Sequence, residues 1–288
     1  MDAFRKCVAA IIFPATLTAA LVCCYYLQLE GNEPGIALIS AVLLAVVLII
    51  VLEQVTPEQA DWNRSHNDLA ADIGHTAIVF AVGGSFFALL FFVGGFLSEQ
   101  LTILLGFTPW PTSWWLPLQV VLTLLLAEFG PYWVHRLVHH MPLWRFHAVH
   151  HSAPRMYWLN TYRFHIIDLL LISILRFLVP IALGVTVQAF LYYLVIAYTV
   201  AFFQHSNVRI IVGPLNWFFS TPVLHRWHNS AIPAESDTNF GQTVIVWDVI
   251  FGTRLAEAHL PDKLGIESPA NFPNGFWSQL LVPFRRNF

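Results

Sequence analysis

Long apolar runs, each close to the length that crosses the hydrocarbon core of a bilayer, constrain this chain more than any other feature of its sequence. Ile11 to Tyr26, Ile36 to Leu52, Ala77 to Leu97 and Trp114 to Leu126 are four such runs, and the last continues through GPYWVHRLVHH. Ile166 to Leu183 and Val185 to Phe203 make a further pair, broken by Pro180 and Gly184. A membrane helix needs about 20 predominantly apolar residues. The composition agrees, with 57% hydrophobic and only 11% charged residues, where a soluble domain carries about a quarter charged. The expected fold is all-α, a multi-pass membrane protein with four to six membrane helices. The first run is too long, and too weakly followed by a small-residue cleavage site, for a signal peptide, so it reads as an anchor.

Basic residues stay on the cytoplasmic side of short loops. Arg5 and Lys6 precede the first run, the loop from Glu30 to Pro34 has no Lys or Arg, the loop from Thr56 to His75 has Arg64, and the loop from Ser98 to Trp115 again has none. This alternation places the amino terminus on the cytoplasmic face. With it go Arg136, Arg145, Arg155 and Arg163, and a carboxyl-terminal segment bearing Arg209, Arg226, Arg254, Lys263, Arg285 and Arg286. The final apolar pair must then be a hairpin that returns the chain to that face. Arg176 inside it is expected either to snorkel to the far interface or to mark a hairpin that does not cross fully. From Ile210 to Phe288, Pro214, Pro222, Pro233, Pro261, Pro269 and Pro273 punctuate a more polar stretch, expected to form a cytoplasmic cap of short helices and loops. The chain divides into residues 1–75, amino-terminal membrane helices with a connecting loop, and residues 76–288, a membrane and cytoplasmic catalytic region. A net charge of -3 and the absence of a basic patch argue against nucleic acid. Cys7, Cys23 and Cys24 have no CxxC spacing and imply no disulfide framework.

Six of the thirteen histidines fall between His135 and His151, in HRLVHHMPLWRFHAVHH. His135 and His139 are one helical turn apart, His147, His150 and His151 are spaced i, i+3, i+4, and His225 and His228 repeat the i, i+3 spacing, with His205 between the sets. Imidazole suits borderline transition metals such as iron, zinc and copper. Such spaced sets point to a polynuclear metal site.

HRLVH, LWRFHAVHHS, NTYRFH, FQHSN, TPVLHRWHNS and NFGQTVIVWDVIFGT, in that order after the apolar runs, resemble the fatty acid hydroxylase superfamily. This membrane-bound group includes sterol desaturases, sphingolipid hydroxylases and related di-iron oxygenases. The resemblance runs from about Glu53 to Thr253. It implies two iron ions held by histidines at the cytoplasmic membrane face, with O2 as co-substrate, oxidising a C–H bond of a sterol, fatty acyl or sphingolipid substrate by hydroxylation or desaturation. It carries the ligand role to His135 and His139, to His147, His150 and His151, to His205, and to His225 and His228. One departure stands out: the third box of the family reads HxxHH, and here its last position is Asn229, which implies a weaker amide ligand, a water, or altered reactivity.

An unactivated methylene has no acidic proton and no leaving group, so its oxidation needs a metal and O2 rather than acid–base residues alone. Glu128 and Tyr132, seven and three residues before His135 on one helical face, are candidate partners that orient a ligand imidazole. Asp237 and Asp248 are further candidates. His140 and His165 are possible additional ligands, whereas His66, His75 and His259 read as solvent-facing or capping residues. Trp144, Trp158, Trp227 and Trp247 read as interfacial anchors or core, and Asn160 and Asn207 as ligand partners or local caps. The competing function is a membrane zinc protein with a structural, transport or hydrolytic role. A transporter, however, places ionisable ligands near the midplane of its spans, and these histidines lie beyond the ends of the apolar runs. No HPGG-like haem segment or flavin fingerprint is present, so electrons are expected from a separate reductase with ferredoxin or cytochrome. Scarce lysine and compact loops lean toward a bacterial inner membrane.

Overall fold

The computed structural model describes residues 3–140, 142–257, 259–267 and 272–285; Met1, Pro269, Arg286 and Phe288 lie outside the described residues. Its architecture is helical. The long elements are α1 (Ala3–Leu29), α2 (Pro34–Val55), α3 (Leu69–Leu105), α4 (Leu116–His140), α6 (Ile166–Ala182) and α7 (Val187–Gln204), with the short α5 (Trp144–His151) between α4 and α6. Four short helices follow: α8 (Pro222–His228), α9 (Pro233–Ser236), α10 (Val246–Phe251) and α11 (Phe276–Leu281). Among the described residues five helices, α1, α2, α3, α4 and α7, are long and apolar enough to cross a membrane, and α6 has 17 residues.

Local chemistry sets the boundaries. Pro34, Pro222 and Pro233 open α2, α8 and α9, where the missing N–H costs nothing. Gly106 ends α3 in the left-handed conformation. The expected loop at Ser98 is therefore helix as far as Leu105, because the apolar and helix-forming sequence carries on through Glu99 and Gln100 until that glycine.

α7 is the central helix, packed by α1, α2 and α4, while α6 lies against α3 and α4. Small residues permit the close approaches: Ala20, Cys24, Ala37, Ala41 and Ala45 form a tight seam at α7 around Leu191 and Val195. The bundle has two distinct ends. At one, Gly184 of the α6–α7 turn sits against Thr108 and Ser98, and Gln119 bonds both Trp110 and Thr186. At the other, the start of α1 pairs with the cap through Ile211 N–H to the Ala9 carbonyl, and Pro57 bridges to Val208. The α6–α7 hairpin thus runs from one end of the bundle to the other. Arg176 does not reach out toward an end of the bundle, because its side chain turns inward to Glu128 and Gln242. Position 75, the expected division of the chain, falls within α3.

The cap end is tied down by buried ionic contacts. Arg155 pairs with Asp68 at 2.7 Å and Arg163 with Asp72 at 2.7 Å, while Tyr157 donates to Asp72 at 2.6 Å. Glu53 accepts the backbone N–H groups of Trp158 and Asn207, both at 2.8 Å. Arg226 on α8 reaches Glu58 at 3.0 Å. Several arginines that the charge pattern suggests as loop cations are instead buried clamps between the amino-terminal helices and the histidine-bearing segments.

Candidate metal centre

Eight buried or nearly buried imidazoles converge in two groups. His135, His139, His147, His151 and His228 form one, and His150, His205 and His225 the other, and within each group one ring nitrogen per residue lies within 4.8 Å of the rest. The Nε2 atoms crowd together, with His135 to His147 at 3.0 Å, His147 to His151 at 3.1 Å and His205 to His225 at 3.1 Å. The i, i+3, i+4 set on α5 therefore splits, His147 and His151 facing one group and His150 the other. His225 and His228 split likewise.

Five of the outer ring nitrogens are held by acceptors. His147 Nδ1 meets Asp168 at 2.7 Å, His139 Nδ1 meets Asp237 at 3.0 Å, and backbone carbonyls of Phe240, Thr238 and Arg163 meet Nδ1 of His135 (2.6 Å), His228 (2.7 Å) and His150 (3.3 Å). A proton held on Nδ1 by an acceptor leaves Nε2 with its lone pair facing inward, the form that binds metal. Burial, followed by repulsion among neighbouring imidazoles, holds His147, His151, His225 and His228 well below the usual histidine range, and His150 likewise. Burial lowers His205 to about 3. Neutral donors at neutral pH follow. His139 Nε2 and His228 Nε2 are buried without a partner, which a metal shared by that group would supply. The donor set fits two transition-metal ions, one per group.

The remaining candidates lie elsewhere. Glu128 does not orient an imidazole: its carboxylate accepts from Thr243 N–H (3.0 Å), Thr243 hydroxyl (2.9 Å), Tyr193 hydroxyl (3.0 Å) and Arg176 (3.3 Å). The Tyr132 hydroxyl contacts Thr253 and Arg136, both at 3.1 Å, and no histidine. Asn229 donates its side-chain amide to the His225 carbonyl at 3.1 Å, closing the last turn of α8. His140 is half exposed and 3.8 Å from Asp237. His165 caps α6, its Nδ1 accepting from Ile167 N–H. His75, read as solvent-facing or capping, is buried, bonded to Gln279 at 2.9 Å and packed edge-on against Phe276. His66 pairs with Asp61, and His259 is exposed beside Trp227. Trp227 is core, Trp144 packs on His139 and His151, and Trp158 and Trp247 are partly buried against the main core. Asn160 closes its own loop, whereas Asn207 ties the end of α7 to Gln59 and Asn63. Asp248 acts at one remove: it accepts the N–H groups of Phe240 and Gly241, both at 2.8 Å, and so fixes the carbonyl that holds His135. Asp168 was missed by sequence reasoning, although an acid opening an apolar run just after RFH is a signal that could have found it.

A cavity of about 370 Å³ meets the histidines, lined by His135, His150, His205 and His225 at one end and by Leu38, Gly83 and Phe87 of the apolar helices at the other. Gly83 and Gly84 have open space where a side chain would stand.

A family model described as fatty acid hydroxylase matches residues 120–253, the stretch that contains all eight histidines. An ornithine lipid hydroxylase of Rhizobium tropici is 36% identical over 288 residues, covering 97% of this chain and 85% of that one. Alkylglycerol monooxygenases of Xenopus tropicalis (32% identical over 152 residues) and Homo sapiens (30% over 151) match 52% of this chain, and each is covered over 32% of its own length. No solved structure matches the chain at a significant level. A relative aligned along nearly the whole sequence, together with a family model spanning the histidine segments, shows that the chain belongs to the fatty acid hydroxylase family.

Proposed function

We propose that the protein is a membrane oxygenase that uses two iron ions and O2 to hydroxylate a C–H bond of a lipid. The observation that carries this reading is the opening of two buried, neutral histidine groups onto a cavity walled by apolar helices. One iron would be held by His135, His139, His147, His151 and His228, and the other by His150, His205 and His225. Together they would supply the redox chemistry with O2 that no side chain of this protein possesses. Hydroxylation is favoured over desaturation because the relatives matched here are named as hydroxylases and monooxygenases.

The chain's own residues then have defined tasks. Asp168, Asp237 and the carbonyls of Phe240, Thr238 and Arg163 orient the imidazoles and hold their Nδ1 protons. Buried Asp168 also places a carboxylate beside the five-histidine group, where it offsets the charge of a bound cation. Phe87, Phe177 and Leu194 exclude water from the cavity and admit an alkyl segment from the bilayer. The positive-inside pattern supports a cytoplasmic histidine end and cap, in reach of a separate reductase with ferredoxin or cytochrome, and scarce lysine with compact loops supports a bacterial inner membrane.

The test is isotopic. Membranes from iron-fed cells expressing the chain should transfer one atom of ¹⁸O from ¹⁸O2 into a lipid, and purified protein should carry about two irons per chain, as the donor count implies. Zinc without iron under every growth condition, with no O2 consumed, would overturn the reading in favour of a structural, transport or hydrolytic zinc protein.

A further inference from the structure

Arg176 is the one cation of α6, two turns beyond the acidic first turn at Asp168, and the cavity explains its position. Its side chain is 17% exposed and lines the cavity together with Gln242 and the four histidines at its inner end. Both of its hydrogen bonds run through one terminal nitrogen, Nη2, to Glu128 at 3.3 Å and to the Gln242 side-chain oxygen. Its Nε–H is buried without a partner. That nitrogen is closed off from the cavity, whereas Nη1, which makes no hydrogen bond, is the donor left to meet an acceptor that the protein itself does not provide.

We propose that Arg176, braced by Gln242 and Glu128, is the anchor for a neutral carbonyl oxygen of the substrate, the ester or amide linkage of a lipid; the inference rests on the lipid-oxidising reading given above. Charge balance selects the acceptor. Glu128 already offsets the guanidinium, so a carboxylate or phosphate would add an uncompensated negative charge in a low-dielectric cavity. A carbonyl accepts the free N–H and leaves the balance unchanged.

The anchor also sets position. Phe240 holds His135 through its carbonyl at 2.6 Å, and Gln242, two residues further on, holds Arg176. One short segment therefore braces both the anchor and an imidazole of the histidine group. Size agrees, since about 370 Å³ lies at the small end of ligand pockets. The cavity takes a segment around the linkage, while the rest of a two-chain lipid stays in the bilayer.

Three single-chain probes separate the possibilities: methyl oleate, oleyl methyl ether and oleate, each used to displace a fluorescent acyl probe from iron-loaded, detergent-purified protein kept free of O2 and reductant. Wild type should bind methyl oleate about tenfold tighter than the ether, the worth of one hydrogen bond to a charged donor, and tighter than oleate. Arg176→Gln should reduce the ester preference to about twofold or less. Because that variant removes one half of a buried ion pair, Gln242→Ala provides a second, milder case in which the preference should fall without vanishing. Equal binding of ester and ether by wild type, tightest binding of oleate, or full ester preference in Arg176→Gln would each overturn the anchor. The two readings fail separately. Ester preference without any lipid oxidation by the iron-loaded protein would remove the oxygenase reading and leave the anchor standing; lipid oxidation without ester preference would do the reverse.

Discussion

Asp168 shows how much of a metal centre resides in residues that never touch metal. One carboxylate oxygen meets His147 Nδ1 at 2.7 Å, and the other is buried without a partner. Asp168→Asn keeps the shape and an acceptor but removes the charge, so affinity at the five-histidine group should fall roughly 10- to 100-fold. Chelator titration of the purified variant measures this, and unchanged affinity would show that the carboxylate is only a spacer. Asn229 predicts the opposite behaviour. Its amide closes the last turn of α8 on the His225 carbonyl, so Asn229→Ala should cost about 1 kcal/mol of stability while metal content stays at the wild-type level. A metal-depleted Asn229→Ala protein would restore the ligand role that its place in the third box suggests. Residue type made the eight histidines legible in the sequence, because imidazole density is rare. Of the five outer acceptors only Asp237 was named from the sequence; Asp168 was missed, and the other three are backbone carbonyls, which any residue offers.

At the scale of the element, helical spacing decides which histidines share a group. Residues four apart on an α-helix differ by about 40° around the axis, and those three apart by about 60° in the other sense. His135 with His139, and His147 with His151, accordingly stay together, while the i, i+3 pairs His147 with His150 and His225 with His228 part. The sequence displays the spacing but not the angle at which α5 meets α4 and α8, so the partition needed the structure. Glycines in the long helices give a paired test. A Cβ at Gly130 would stand 2.5 Å from Leu175 Cβ, and α4 and α6 must separate to admit it. Gly130→Ala should therefore destabilise by about 1–3 kcal/mol, read as a lower unfolding temperature in detergent. Gly83 faces open space in the cavity wall. Gly83→Leu should keep its metal and its unfolding temperature near wild type yet lose most lipid turnover, by narrowing the cavity from the bilayer side. Retained turnover would mean that lipid reaches the histidines by another path.

The two groups are built from different parts of the molecule, which gives them different fates when metal is withdrawn. The five-histidine group draws on α4, α5 and α8, whereas the three-histidine group joins α5 and α8 to the end of α7 through His205. The apolar runs and the histidine spacing made both the helices and the convergence readable. The buried Asp68–Arg155, Asp72–Arg163 and Glu58–Arg226 pairs that press these elements together were not, because charge pattern alone cannot tell a loop cation from a clamp. With fewer imidazoles, the three-histidine group should hold its ion less tightly and lose it first, since affinity for a divalent ion rises with the number of well-placed donors. A chelator titration of wild type should then release metal in two steps of about one ion each. The first step should lower the unfolding temperature, because a ligand bound only to the folded state stabilises it. His205→Ala isolates the weaker group: its side chain meets only His150 and His225 among the ligands. That variant should keep about one metal per chain, lack the first release step and retain the second at its wild-type chelator concentration. Release in a single step, or a His205→Ala protein empty at both positions, would show that the eight histidines bind their ions as one inseparable unit.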